Sequence, residues 1–155
     1  MKTIPKTITI MMLYSCLLSG CSIAPAAEQS HVYSFRGENE FFTISNGVIV
    51  LNDTKDIFYG GNLEETQGKF EDIVSYSTSV YLQSDDKDRI LLCNRVEDLT
   101  GATINISDEI GKVSGDLIKE TDLDELENNL FFELKTKNLN GEENEYLVQL
   151  ILTKI

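Results

Sequence analysis

The strongest constraint on the fold is an alternation of apolar and polar residues with a period of two. It is clearest in the run from Val74 to Gln83. One face of an extended chain would carry Val74, Tyr76, Thr78, Val80 and Leu82, and the other would carry serines, Tyr81 and Gln83. This pattern is typical of a strand in an antiparallel sheet that packs one face on a core and shows the other to water.

A longer segment of strand-forming residues runs from Glu40 to Leu51 and is rich in β-branched and aromatic side chains. Asn46-Gly47 inside it fits either a two-residue hairpin turn or a bulge in one long strand. The long strand is favoured, because Asn52 to Asp56 offers a better turn. The chain from Ile57 to Leu63 is then expected to return alongside, bent at Gly60-Gly61.

The remaining segments are shorter. The predicted strands are Val32–Phe35, Arg89–Val96, Ala102–Ser107 with Ile104 and Ile106 inward, one or two strands between Ile110 and Ile118, Leu130–Lys137 and Asn144–Ile155. The last of these is apolar on both faces, which predicts a central place in its sheet. Thr121–Asn128 is the one predicted helix, because Thr121 can cap a first turn that is rich in acids.

Short strands and frequent turn signals predict an all-β fold. We expect an antiparallel β-sandwich of about eight short strands with one short helical turn. A calycin-like up-and-down barrel is the alternative, because nothing in the sequence decides whether the sheet closes.

The first twenty residues have the layout of a secretory signal peptide. Lys2 and Lys6 precede a mostly apolar run from Ile8 to Leu18, and small residues follow. The run is too short to span a bilayer, which takes about 20 apolar residues in a helix.

The leader ends in Leu18-Ser19-Gly20-Cys21, which resembles the lipobox of bacterial lipoproteins: an aliphatic residue, a small one, Gly or Ala, then Cys. The resemblance implies that a diacylglycerol is attached to the Cys21 thiol and that cleavage leaves Cys21 as the first residue. Simple secretion after the A-x-A-like sequence Ala24-Pro25-Ala26 is the alternative. Ser22 is not the Asp that often retains such proteins at an inner membrane, so the outer membrane is favoured in a diderm host.

The chain is therefore expected to have three parts: a signal peptide at 1–20, a lipidated flexible tether at 21–31 and a single β domain at 32–155. The start of the tether is small and polar and gives nothing to bury. His31, the only histidine, stands at its end, where an exposed position is expected rather than a functional one.

The charge of the exported chain narrows the classes of partner. Without the first twenty residues, which hold two basic and no acidic residues, 11 basic and 26 acidic residues remain, a formal charge of −15. Nucleic acid and an anionic bilayer would both repel such a chain. Attachment to the membrane would come from two acyl chains, which anchor stably without basic residues. A cationic protein or peptide is a candidate partner, against the simpler interpretation of a solvated acidic surface.

Cysteine usage excludes an internal disulfide. Cys16 leaves with the leader and Cys21 is committed to lipid, so Cys93 has no partner within the chain. Cys93 falls in a predicted strand and is expected to be a small buried apolar group.

No motif indicates a catalytic or metal site. His31 and Cys93 cannot supply the ligands of a His/Cys metal centre. Two acidic clusters leave calcium open, although neither follows the calcium-loop pattern; they are Asp85, Asp86 and Asp88, and Asp122, Asp124 and Glu125. The sequence predicts neither an enzyme nor a cofactor.

The stretch from Tyr33 to Glu40 is similar to the opening of small uncharacterised lipoproteins of Firmicutes, in which an aromatic-x-Gly-Glu-Asn/Ser pattern usually precedes a Trp. This chain has no Trp, and Phe41 or Phe42 stands near that place. The resemblance brings no activity with it.

Together these features predict a membrane-anchored extracytoplasmic lipoprotein that acts as a binding module for an envelope protein, peptide or ligand. Exposed residues such as Tyr81 on the serine-rich face are the candidate surface. An envelope hydrolase with paired carboxylates and a structural or assembly lipoprotein are the alternatives.

Overall fold

A computed structural model describes residues 30–66, 68, 70–85, 87–118 and 123–155. The predicted signal peptide and lipobox lie outside this range. The described residues form eleven strands and one short helix. The strands are β1 (His31–Glu38), β2 (Phe42–Leu51), β3 (Asp56–Tyr59), β4 (Asn62–Glu65), β5 (Ile73–Leu82), β6 (Arg89–Glu97), β7 (Asp108–Glu109), β8 (Lys112–Gly115), β9 (Leu130–Asn138), β10 (Glu143–Gln149) and β11 (Ile151–Lys154), and the helix is α1 (Leu123–Asn129).

The strands form two antiparallel sheets, which confirms the predicted sandwich over the barrel. The large sheet has the order β11-β1-β2-β3-β8, with β4 paired to β2 and to β7. The small sheet has the order β10-β9-β5-β6. The core lies between them, where Phe42 of the large sheet meets Phe132 of the small sheet edge to face, with ring centroids 5.6 Å apart.

The segment from Glu40 to Leu51 contains one long strand with a bulge, as favoured above. Phe35 of β1 pairs with Gly47 and Gly37 pairs with Ile44, so two residues of β2 oppose one of β1. Asn46, in the bulge, has a φ of 58°. The chain then returns as β3 and β4, which both pair with β2.

The predicted inward face of β5 is right from Tyr76 to Leu82, but Val74 does not belong to it, and Ser75, predicted on the wet face, is 9% exposed. Ile73 pairs with Asn138 and Ser75 pairs with Lys137, so Val74 is the extra residue of a bulge. The bulge reverses the alternation before Ser75, which buries Ile73 and leaves Val74 partly exposed. A period-two pattern read through a bulge assigns the wrong face.

The prediction of a buried Cys93 is wrong. β6 forms at Arg89–Glu97 as expected, but it is an edge strand, and Cys93 is exposed on its outer face. Its register partner is Ser79 on the serine-rich face of β5.

The predicted strand at Ala102–Ser107 does not form. Ile104 donates its N–H to Ile73 at 2.7 Å, and the Asn105 side chain accepts the N–H of Ser107 at 2.9 Å. One bond to a distant strand and one local bond stand where a strand ladder was expected, yet Ile106 is still buried. Between Ile110 and Ile118 a single short strand forms, β8, which is one of the two outcomes expected there. The two-residue strand β7 precedes that range.

The last predicted strand is not central in a sheet. It divides at Leu150 into β10, an edge of the small sheet, and β11, an edge of the large sheet. Leu147 and Ile151 are exposed, whereas Leu150 is buried where the chain crosses between sheets. Its apolar residues on both faces therefore reflect a change of sheet.

The short helix α1 has seven residues and buries Leu126 against the core. Its predicted cap, Thr121, lies outside the described residues. Within the described ranges, no helix has the length and apolar composition needed to cross a bilayer. The first strand begins at His31, one residue before the predicted start of the domain.

Candidate functional site

The outer face of the small sheet carries a shallow trough along the serine-rich strand β5. Ser77 and Ser79 alternate with inward residues and point to this face, and the largely buried Ser75 also lines the trough. Their side chains are short, whereas those of the neighbouring strands β9 and β6 are long. Lys135 and Arg95 oppose Ser77 from its two sides. The serines therefore form the floor and the charged side chains form the walls.

Ion pairs line one end of the trough. The Lys135 ammonium lies 2.9 Å from the Glu133 carboxylate and 3.7 Å from that of Glu145. Lys137 pairs with Glu143 at 3.5 Å. The hydrogen bond to Glu133, together with the nearby carboxylate charges, raises the pKa of Lys135. Exposed ion pairs of this kind contribute little to the stability of the fold. We therefore interpret them as part of the chemistry of this surface and not as a source of stability.

The other end of the outer face is apolar. The ring of Tyr81 stacks on that of Phe131, with centroids 6.0 Å apart and planes inclined at 21°. Ile90 opposes Tyr81 on β6 and is 64% exposed. Leu147 lies diagonally beside Phe131 on β10 and is 51% exposed. These four residues, the apolar strip, cross all four strands of the sheet.

The apolar strip is suited to contact with another molecule. Exposed Leu and Ile beside aromatic rings provide apolar area that association can bury, and Tyr adds a polar tip. Partial burial, followed by the charge of Glu133, raises the pKa of Tyr81. The whole outer face is thus apolar at one end and charged at the other.

Each carboxylate that lines the trough has a cationic neighbour. Glu97, Glu133, Glu143 and Glu145 each lie 2.9–3.7 Å from a Lys or Arg nitrogen. His31 is on the large sheet and cannot serve as their base. Cys93 lies on the same face as the trough, with its sulfur 3.6 Å from the Ser79 hydroxyl.

The predicted acidic clusters are described only in part. Asp88 accepts the N–H of Ser84 at 3.4 Å, which closes the turn between β5 and β6. Asp86, Asp122 and the side chains of Asp124 and Glu125 are outside the described residues. Among the side chains that are described, no three of the His, Cys, Asp and Glu type are grouped to hold a metal ion.

The predicted lipidation site, Leu18, Ser19, Gly20 and Cys21, lies outside the described residues. Tyr81 is on the outer face where the sequence predicted it. Its neighbours Phe131 and Ile90 were missed, because only the register of β9 and β6 against β5 brings them together.

Comparisons with known proteins give no relative: no protein-family model matches the chain, and neither a similar curated protein nor a similar solved structure was found.

Proposed function

We propose that this protein is a bacterial lipoprotein, anchored through Cys21 at the extracytoplasmic face of a membrane, that binds an envelope protein or peptide on the outer face of the small sheet. The observation that carries the binding role is the apolar strip, which runs across four strands next to a trough lined with charges. The anchor is supported by the leader and by Leu18-Ser19-Gly20-Cys21.

Binding fits this surface better than catalysis does. Its carboxylates are occupied by cations, and a trough that is shallow and exposed leaves a reacting group in water. A protein surface or an extended peptide, in contrast, can cover the strip and match the ion pairs beside it.

The partner is expected to carry an apolar segment next to charged residues. The charge of −15 on the exported chain would draw a cationic partner toward it and increase the association rate. For such a partner the association rate constant falls as salt increases. An association rate constant that does not change with salt concentration would exclude a cationic partner and leave a partner that binds through the apolar strip alone.

The binding role is tested by site-specific photo-crosslinking in intact cells. A photoreactive amino acid replaces Tyr81 or Leu147 on the apolar strip, and Thr43 on the outer face of the large sheet is the matched control. We expect one defined crosslinked species from the two strip positions and not from Thr43. Identical species from all three positions, or none from the strip, would contradict the assignment of this face.

The anchor is tested separately by metabolic labelling with palmitate. The native chain should incorporate the label and Cys21→Ala should not, because the acyl chains are carried on the Cys21 residue. Equal labelling of the two chains would exclude lipidation at Cys21, and an unlabelled native chain in the culture medium would indicate simple secretion.

A further inference from the structure

The outer face of the large sheet carries a second group of apolar side chains. Val32 opposes Val50, which opposes Ile57, in one row across β1, β2 and β3. In the next row Val48 opposes Tyr59. All five side chains are partly exposed. We call this group the valine face.

The valine face departs from the pattern of a sheet with one wet side. The opposite side chains of the same strands, such as Ile49 and Phe58, are fully buried in the core. β1, β2 and β3 are therefore apolar on both faces at this end of the sheet. A contiguous group of apolar side chains on an exposed face is typical of a surface that contacts another protein or a membrane.

Charges on this face are separated along the strands. The valine face occupies two rows of paired residues across the strands. Among the described residues of these two rows, Lys112, which opposes Tyr59, is the one with a charged side chain. Within the strands, the acids of this face lie at the other end, where Glu38 and Glu64 oppose Thr43 from its two sides. Beyond the strands at the apolar end, exposed Asp53 and Lys55 lie in the turn after β2 and exposed Asp116 follows β8. The apolar end is thus also the end that an anionic surface repels least.

The valine face lies close to the point where the chain joins its proposed anchor. Val32 follows His31, the first residue of β1, and Cys21 stands ten residues before His31. Ten extended residues reach at most about 35 Å. A lipid on Cys21 would hold the face within that distance of the bilayer, and at such an effective concentration a contact too weak to bind a free protein is sufficient.

We infer that the valine face rests on the lipid surface to which Cys21 anchors the chain, so that the outer face of the small sheet points away from the membrane toward its partner. The inference rests on the proposed lipid anchor. A second copy would bring its own charge of −15 to this face, whereas the headgroups of a zwitterionic lipid surface bring no net charge.

The test places one environment-sensitive fluorophore on the mature lipidated protein in vesicles of zwitterionic phosphatidylcholine. The label is attached at Val50→Cys or, as the matched control, at Ser77→Cys on the trough, both in a Cys93→Ser background. Brominated acyl chains quench a fluorophore that contacts the bilayer. Circular dichroism of both labelled proteins verifies the fold, and Tyr59→Cys replaces Val50→Cys if that variant does not fold.

We expect quenching by brominated lipid to be several-fold greater at position 50 than at position 77. Equal quenching at the two positions in vesicles that retain the protein would overturn the inference and leave the anchor intact. Protection of position 50 from a water-soluble quencher without quenching by lipid, together with crosslinked dimers, would assign the face to a second copy. If the protein does not float with the vesicles, the result excludes both the lipid anchor and this inference.

Discussion

The side chain of Asp56 accepts a hydrogen bond from the backbone N–H of Ile118, 62 residues further along the chain, at 2.9 Å. The same oxygen accepts the N–H of Leu117 at 3.0 Å. Asp56 is buried at the start of β3, and these two bonds fasten the segment after β8 to the large sheet.

Removal of this acceptor should destabilise the fold. In Asp56→Ala, two N–H groups lose their partner at a buried site, and we expect a loss of about 2–4 kcal/mol. Asp56→Asn keeps one acceptor oxygen and should lose less. Urea unfolding measures both, with the exposed Asp53→Ala in the adjacent turn as the control. A loss in Asp56→Ala no larger than in Asp53→Ala would show that these bonds do not hold the segment.

The close approach of Gly47 to Phe35 gives a second prediction. A Cβ at Gly47 would overlap the Phe35 ring, which is buried and stacks on Phe58. Gly47→Ala should therefore cost about 1–3 kcal/mol through overpacking. Gly115→Ala is the matched control in another strand of the same sheet, because its nearest neighbour is Leu117 at 3.9 Å. Equal unfolding midpoints for the two variants would show that the bulge yields without cost.

A buried hydroxyl without a hydrogen bond should make one substitution stabilising. Thr136 is 3% exposed, and its Oγ1 has no partner among the described residues. Thr136→Val keeps the shape and removes the unsatisfied group, so we expect a gain of about 1 kcal/mol. Thr43→Val, on an outer face, should change stability little. Thermal unfolding measures both, and a destabilised Thr136→Val would indicate that the hydroxyl is satisfied.

Two tyrosines should make the fold sensitive to alkaline pH. Burial raises the pKa of Tyr76 and of Tyr81 above the ordinary value of 10.0. The unfolded chain then loses these protons at lower pH than the folded chain does. The contribution of the two tyrosines to the free energy of unfolding is therefore complete below pH 10.0 and falls as the pH rises past it. Ultraviolet titration of phenolate should show a late phase that shrinks in Tyr81→Phe. An unchanged late phase would assign the raised pKa to other residues.

The sequence predicted much of the fold because alternation is a local property. The inward residues from Tyr76 to Leu82 and the long strand ending at Leu51 follow from side chains within each segment. The errors arose where a contact distant in sequence decides. The bulge at Val74 depends on the pairing of β5 with β9, and the exposure of Cys93 depends on the register of β6 against β5, which puts Cys93 opposite Ser79 on the outer face.

The candidate site was predictable only as a single residue. Tyr81 could be placed on a wet face from its own strand, whereas Phe131, Ile90 and Leu147 come from three other strands. The contact among these residues depends on the register between neighbouring strands, which the sequence of a single strand does not specify.

The sequence by itself determined the all-β class, because residue order within each segment is sufficient for it. It also predicts an anchor at Cys21 and, from the cysteine count, the lack of an internal disulfide. Only the tertiary structure decided which strands are edges, that the chain changes sheet at Leu150, and that apolar residues gather on both outer faces. Those features depend on strand pairing between distant segments, where hydrogen bonds and core packing select one register among many.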